Sequence, residues 1–262
     1  METKSSLMIS SLNITSNMEL KEYLKVIEKF VSDYLEESHQ KHYVLGLSGG
    51  VDSSLVAAIT KNAVGKEKLT CIMIPIDSHP ADLEDALDLA KQLDLNYLII
   101  DGSKSFHDTV EQFTSQGIEL DRGTLANLKV RIRMTILYAY AQKMGGLVIG
   151  TDNADERYTG YFTKYGDGGV DLLPIVHLMK SEVVEACKIY GISDRLAERT
   201  PSAGLFEGQT DEGEMGVKYS TLDKYLLGGE IDEKSKERIE HLHRISEHKR
   251  APIPTPEEFK RD

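Results

Sequence analysis

An α/β fold built on one doubly wound parallel sheet flanked by helices is what this 262-residue sequence predicts. Short apolar runs at residues 43–47, 69–74, 96–100 and 147–150 alternate with segments of helical periodicity, and strands separated by helices imply right-handed crossovers in a parallel sheet. The first run leads straight into Leu47-Ser48-Gly49-Gly50-Val51-Asp52-Ser53-Ser54, and the amphipathic residues Leu55, Val56, Ala58 and Ile59 follow. A hydrophobic fraction of 40% over this length supplies a core for one large domain, so residues 1–262 are expected to form a single unit.

The elements follow in order. Residues 1–18 are polar and rich in Ser and Asn, without the cationic start and apolar stretch of a secretory signal. Leu20, Tyr23, Leu24, Ile27, Phe30, Val31, Tyr34 and Leu35 recur at helical spacing, with Asn17 placed to cap them. After the second strand, residues 80–93 begin a helix with Pro80 in its first turn and acids at its start, which suits the helix dipole. Helices are expected over residues 105–115, 125–144 and 180–190, the middle one ended by Gly145-Gly146. Residues 200–215 read as a glycine- and acid-rich loop, two short helices follow as a helical C-terminal extension, and residues 247–262 read as a mobile tail.

The formal net charge of −12 argues against a nucleic-acid footprint spread over the surface. No apolar run approaches the ~20 residues that span a membrane. Cys71 and Cys187 lie far apart in apolar settings, as buried spectators in a reducing cytoplasm would.

The strand–glycine turn–helix unit at residues 43–59 aims backbone N–H groups and a helix N-terminus at one spot, which suits phosphate. Gly49 and Gly50 admit an anion closely, and Ser48, Ser53 and Ser54 add hydroxyls. Asp52 would repel bound phosphates without a cation between, which points to Mg2+. The loop lacks the lysine and spacing of a Walker A motif. It resembles instead the Ser-Gly-Gly-x-Asp-Ser pyrophosphate loop of the N-type ATP pyrophosphatases, whose fold is adenine nucleotide alpha hydrolase-like.

Other segments sharpen the resemblance. Gly150-Thr151-Asp152, Glu156 and Thr159-Gly160-Tyr161-Phe162-Thr163-Lys164-Tyr165-Gly166-Asp167-Gly168-Gly169 look like the corresponding run of the NAD+ synthetases. So do Asn127-Leu128-Lys129-Val130-Arg131-Ile132-Arg133-Met134, Pro201-Ser202-Ala203-Gly204, Gln209-Thr210-Asp211-Glu212 and Glu247-His248-Lys249-Arg250, in the same order. The resemblance implies ATP-dependent amidation of nicotinic acid adenine dinucleotide (deamido-NAD) to NAD+ with ammonia. The step passes through an acyl-adenylate and releases AMP and pyrophosphate, as the last step of NAD biosynthesis.

It also implies roles. Gly46, Leu47, Ser48, Gly49, Gly50, Val51, Asp52, Ser53, Thr151, Lys180 and Ser202 match ATP-binding positions. Asp52 and Glu156 match Mg2+ ligands, and Lys180 matches the cation facing the ATP phosphates. Arg131, Lys164, Asp171, His248 and Lys249 match positions that grip deamido-NAD, with Arg133 set aside because it faces elsewhere on the helix. Asp167 is the candidate for the amidation step, where an acid among glycines could hold ammonium and help deprotonate it. Asp167 and Lys180 are thus the catalytic candidates.

A substrate carboxylate is already ionised at neutral pH, so adenylation needs no nucleophile–base pair, and the sequence offers none. About forty residues precede the first strand, too few for an amidase domain, so ammonia is the expected nitrogen source. The resemblance implies a homodimer, with the first long helix and residues 125–144 as candidates to pair. Another adenylating member of the superfamily and a catalytically silent nucleotide sensor are the alternatives. The first would want a reactive cysteine pair and a basic surface, and the second has no use for metal ligands and an ammonium acid together.

Overall fold

The computed structural model describes residues 19–197, 205 and 209–261. Strands β1 (His42–Gly46), β2 (Leu69–Met73), β3 (Tyr97–Ile99) and β4 (Gly146–Ile149) form one sheet in the order β3-β2-β1-β4. All pairings are parallel, with Leu45 opposite Cys71 on one side and Ile149 on the other. The doubly wound α/β architecture is therefore as the alternation of strands and helices requires.

Alternation along each strand divides the core. Tyr43, Leu45, Cys71, Met73 and Ile149 face one side, where they meet Val31, Leu55, Ile59, Leu89 and Val183. Those partners come from α1 (Leu20–Glu37), α2 (Val51–Val64), α3 (Pro80–Gln92) and α7 (Lys180–Ile189). Val44, Ile72 and Val148 face the other side, against Phe106 of α4 (Ser103–Ser115) and Met134 and Leu137 of α5 (Arg122–Met144). Edge strand β3 is the exception to burial, for all of its residues are exposed.

Several boundaries move from the sequence expectation for local reasons. Helix α5 starts at Arg122 because Asp121 caps it, its carboxylate accepting from the Thr124 N–H at 2.9 Å. The expected loop over residues 200–215 ends early: Asp211–Met215 form a short helix, α9, once Thr210 accepts from the Gly213 N–H. Helix α1 is preceded by Glu19, whose side chain makes no capping bond, and Asn17 lies outside the described residues.

The chain after α7 runs through α8 (Asp194–Ala197), α9, α10 (Tyr219–Leu226), α11 (Glu233–Ile245) and α12 (Glu247–Arg250). A satellite core of Met215, Val217, Tyr219, Leu222 and Ile239 packs with Tyr158 of α6 (Ala154–Thr159), the helix that follows β4. Helix α12 is docked on the end of α6. The Arg250 guanidinium donates to the carbonyls of Arg157 and Tyr158 at 3.1 Å, and Ser246 Oγ donates to Thr159 O at 3.2 Å. Gly160, with φ of 69°, lets Ser246 approach: a Cβ there would lie 2.1 Å from that of Ser246. Residues 251–261 continue exposed and without regular structure.

Candidate active site

β2 and β4 lie on opposite sides of β1, and their connections leave a crevice beyond the carboxyl ends of the strands, where open α/β sheets bind ligands. A cavity of about 550 Å3 opens there, lined by the loop after β1, the start of α2, the segment after β4, and residues of α5 and α9. The loop after β1 is bound to itself. Ser53 and Ser54 donate to Gly50 O at 3.1 and 2.8 Å, and Gly50 N donates to Ser48 Oγ at 3.2 Å. Gly49, at φ of 80°, packs so closely on α3 that a Cβ would lie 2.7 Å from Asp82 O. The turn is fixed in place by this contact.

Asp52, in the first turn of α2, points across the crevice to Lys180, the first residue of α7. Lys180 Nζ lies 2.5 Å from Asp52 Oδ2 and 3.6 Å from Glu156 Oε1. Asn153 organises both acids: its amide donates to Asp52 Oδ1 at 2.9 Å, and it forms a reciprocal capping box with Glu156 at the start of α6. Tyr219 completes the group. Its hydroxyl is 3.0 Å from Asp211 Oδ2 and 3.4 Å from Glu156 Oε1, and the Lys180 ammonium sits 4.9 Å from its ring centroid.

The electrostatics follow from burial and pairing. Burial opposes the charge of Lys180, but Asp52 and Glu156 together outweigh it and hold the ammonium above its ordinary range. Burial, then the charge of Asp52, push Glu156 well up against the opposing pull of Lys180. Asp155, beneath them, is pushed up to about 8 by burial and by Asp223.

This oxygen-only donor set fits a hard divalent cation such as Mg2+. Among the described residues no group of three or more His, Cys, Asp or Glu side chains could hold a metal by itself. Mg2+ characteristically binds one or two carboxylates and completes its shell from substrate phosphates and water, and Asp52 and Glu156, both within reach of Lys180 beside the glycine turn, are the carboxylates that could hold it.

The remaining expected residues divide between two places. Asp167 lines the cavity, its Oδ1 accepting from the N–H groups of Thr163 at 2.7 Å and Gly168 at 3.1 Å. Lys249 also lines it, donating to Gly160 O and Phe162 O at 2.7 Å each. Arg131, Lys164 and His248 come together outside the cavity lining. Arg131 Nε donates to Lys164 O at 3.2 Å, and Lys164 Nζ donates to His248 O at 2.6 Å. Asp171 stands apart, accepting from Val148 N at 2.7 Å at the edge of β4. Gly46, Leu47, Val51, Ser53 and Thr151 line the cavity, while Ser202 lies outside the described residues.

A sequence profile of the NAD synthase family matches residues 23–253. The NH3-dependent NAD(+) synthetase of Mesoplasma florum is 42% identical over 93% of this chain and all of its own length. The chain belongs to the NH3-dependent NAD+ synthetase family. That makes it a ligase of the carbon–nitrogen bond-forming class. Among solved structures, an NMN synthetase from Francisella tularensis superposes with a TM-score of 0.86 at 38% identity, over 92% of this chain and 99% of that one. An NH3-dependent NAD synthetase from Campylobacter jejuni gives 0.74 at 30% identity, over 92% of this chain and 100% of that one.

Arg133 in the cavity lining, and Asn153 and Tyr219 packed behind the acids of this family member, escaped the sequence reading. Arg133, not Arg131, lines the cavity, donating to Ile74 O at 3.1 Å and Ser78 Oγ at 3.2 Å. A signal for it was present, since the buried stripe Val130, Met134 and Leu137 puts position 133 on the inward side of α5. Asn153 was marked by its place three residues before Glu156, the spacing of a capping box. Tyr219 carried no local signal, because the satellite core brings it in from a distant helix.

Proposed function

We propose that the chain amidates deamido-NAD with ammonia, driven by cleavage of ATP to AMP and pyrophosphate. The observation that carries this reading is the Asp52–Lys180–Glu156 array set against the glycine loop at the carboxyl end of β1. The carboxylate of the substrate attacks the α-phosphorus of ATP, and the bond to the departing pyrophosphate breaks. Positioning and charge neutralisation are what this step needs. The Ser48–Ser53 turn offers backbone N–H groups to the phosphates, and Lys180 supplies a fixed positive charge. Mg2+, held by Asp52 and Glu156 together with ATP phosphates, would neutralise charge on the departing pyrophosphate.

Ammonia then attacks the acyl carbon and AMP leaves. Asp167 is held by the two N–H groups of its own loop, which fixes its negative charge beside the cavity for an incoming ammonium ion. Arg131 and Lys164, linked to each other and to His248 through main-chain carbonyls, bring cations suited to the phosphates of the dinucleotide, with His248 beside them. Thr151 and Ser202 complete the ATP contacts in this reading, and Asp171 and Lys249 the dinucleotide contacts. The working protein is a homodimer in the cytoplasm. The exposed apolar residues Val26 and Phe30 of α1 and Tyr138 of α5 support pairing of those helices. Both cysteines are free and buried, which agrees with a reducing compartment.

A second reading is favoured by the NMN synthetase likeness: the same chemistry on the nicotinic acid mononucleotide. One experiment separates them. Purified protein with ATP, Mg2+ and ammonium is offered the dinucleotide acid or the mononucleotide acid, and kcat/KM is compared, with glutamine replacing ammonium in a further arm. Preference for the dinucleotide with ammonium is expected. Preference for the mononucleotide, or efficient use of glutamine by the single chain, overturns the reading.

A further inference from the structure

We propose that Asp152 is the carboxylate that takes the proton of the ammonium ion held by the charge of Asp167, before the amide bond forms. This deepens the function proposed above and rests on it. Asp152 follows Thr151 directly at the end of β4, is 3% exposed, and lines the cavity. The other acids beside it each commit at least one oxygen. Asp52 holds Lys180 and Asn153, Glu156 holds the Asn153 N–H, and Asp167 Oδ1 holds two backbone N–H groups. Asp152 Oδ2 is buried and has no hydrogen-bond partner among the described residues. A buried carboxylate oxygen without a donor is a costly arrangement in a protein at rest, and it marks a place for a ligand that donates.

The adjoining wall shows which ligand. Lys249 seats a primary ammonium between the carbonyls of Gly160 and Phe162, 5.3 Å from the centroid of the Phe162 ring. Two carbonyls and a ring face suit an N–H cation and not Mg2+, which demands octahedral oxygen. The charges of Asp167 and Asp152 both reach that ammonium. This end of the cavity thus already sets one nitrogen cation, Lys249, against acidic charge, and Asp152 keeps there a buried oxygen without a donor.

Its proton affinity suits the task. Burial, then the charges of Asp167 and Asp52, raise it, with Arg157 and Lys249 opposing, and Glu156 feels Asp152 in turn. A carboxylate made more basic is a better acceptor from ammonium. Ammonium gives one proton to the Asp152 carboxylate, and the freed lone pair forms the C–N bond to the acyl carbon. The C–O bond to the adenylate breaks, AMP leaves with that electron pair, and the nitrogen sheds its second excess proton to solvent.

The test compares Asp152→Asn with the wild type in two measurements. The first is the rate of amide formation at increasing ammonium. The second is capture of the adenylate by hydroxylamine, an amine that is uncharged at neutral pH. In the variant, amide formation with ammonium should fall on the order of 10^2-fold and saturate at higher ammonium. Pyrophosphate release and hydroxamate formation with hydroxylamine should stay within about threefold of wild type, which also shows that the variant is folded. Asp152→Ser is made in parallel and should behave in the same way. Parallel loss of pyrophosphate release in both variants would assign Asp152 to adenylation or to the fold and overturn the inference, as would an unchanged response to ammonium. Failure of the wild type itself to make the amide overturns the proposed function, and the inference with it.

Discussion

Replacing Lys180 with methionine keeps the length of the side chain and removes the ammonium from between two carboxylates. Lys180 is 6% exposed at its side chain, and Asp52 and Glu156 are 16% and 15% exposed, so solvent screens these charges little. Pairs at such distances attract by about 4 kcal/mol or more at an effective dielectric near 20. What the variant loses is smaller than the gross attraction and larger than nothing: stripping one partner from a buried pair leaves uncompensated charge, at about 3–5 kcal/mol. In a chain of this size that lowers the unfolding midpoint by roughly 10 °C. Pyrophosphate release should fall by about 10^2–10^3, the usual effect of removing one preorganised group that stabilises charge in the transition state.

The variant also has a signature in pH and Mg2+. Glu156 is already pushed up by burial and by Asp52, and Lys180 is the group pulling it back. Without the lysine the folded state holds that proton more tightly than the unfolded chain does. Stability then returns as pH falls through the raised folded value, and is lowest above it. A cation that binds the two acids substitutes for the ammonium, so Mg2+ should raise the midpoint of the variant more than that of the wild type. Thermal unfolding at several pH values, with and without Mg2+, together with a pyrophosphate assay, measures all of this. An unchanged midpoint combined with near-normal pyrophosphate release would refute the argument from burial.

Three further outcomes are expected. Asp52→Asn and Glu156→Gln should each slow pyrophosphate release on the order of 10^2-fold before ammonia is involved, and near-normal release in both would remove them from the ATP site. Gly49→Ala should weaken ATP protection against thermal unfolding, since the φ of 80° and the 2.7 Å approach to Asp82 O leave no place for a methyl group; an unaltered ATP effect would contradict this. Asp155, pushed up to about 8, binds its proton more tightly in the folded state, so its contribution to stability is lost as pH rises from the ordinary carboxylate range through about 8. Asp155→Asn should flatten that slope in urea unfolding followed over pH, and an identical slope would show that Asp155 does not titrate there.

What could be read from the sequence has a physical pattern. The strands and the turn at Gly49 were legible because each is fixed locally: four or five apolar residues, then glycines, then a helical stripe. Lys180 could be singled out because a cation at a helix start opposes the dipole, and the structure supplies the reason in the two acids that hold it. The short helix α6 was not legible, since six residues carry too little periodicity, although the Asn153–Glu156 spacing marks its start. Which of Arg131 and Arg133 enters the cavity lining depends on helix phase, since two residues along a helix turn a side chain by about 200°. Tyr219 depends on tertiary packing alone.

That dependence explains why the site needs the C-terminal helices. The sheet and the loops after β1 and β4 bring Asp52, Asn153 and Glu156 together, but they leave Lys180 with one side uncovered. Tyr219 closes that side with its ring face, and its hydroxyl joins Glu156 to Asp211 of α9. Tyr161 reaches the same α9 from the segment after α6, through Asp211 at 3.2 Å and Glu214 at 2.6 Å. Lys249 and Arg250 of α12 then fasten the end of α6 from below. An acid–lysine–acid array in a groove open to water would be screened and weak. Enclosed by a tyrosine and three short helices, it keeps the fixed geometry and low solvent exposure that the role proposed for it toward a phosphate chain requires.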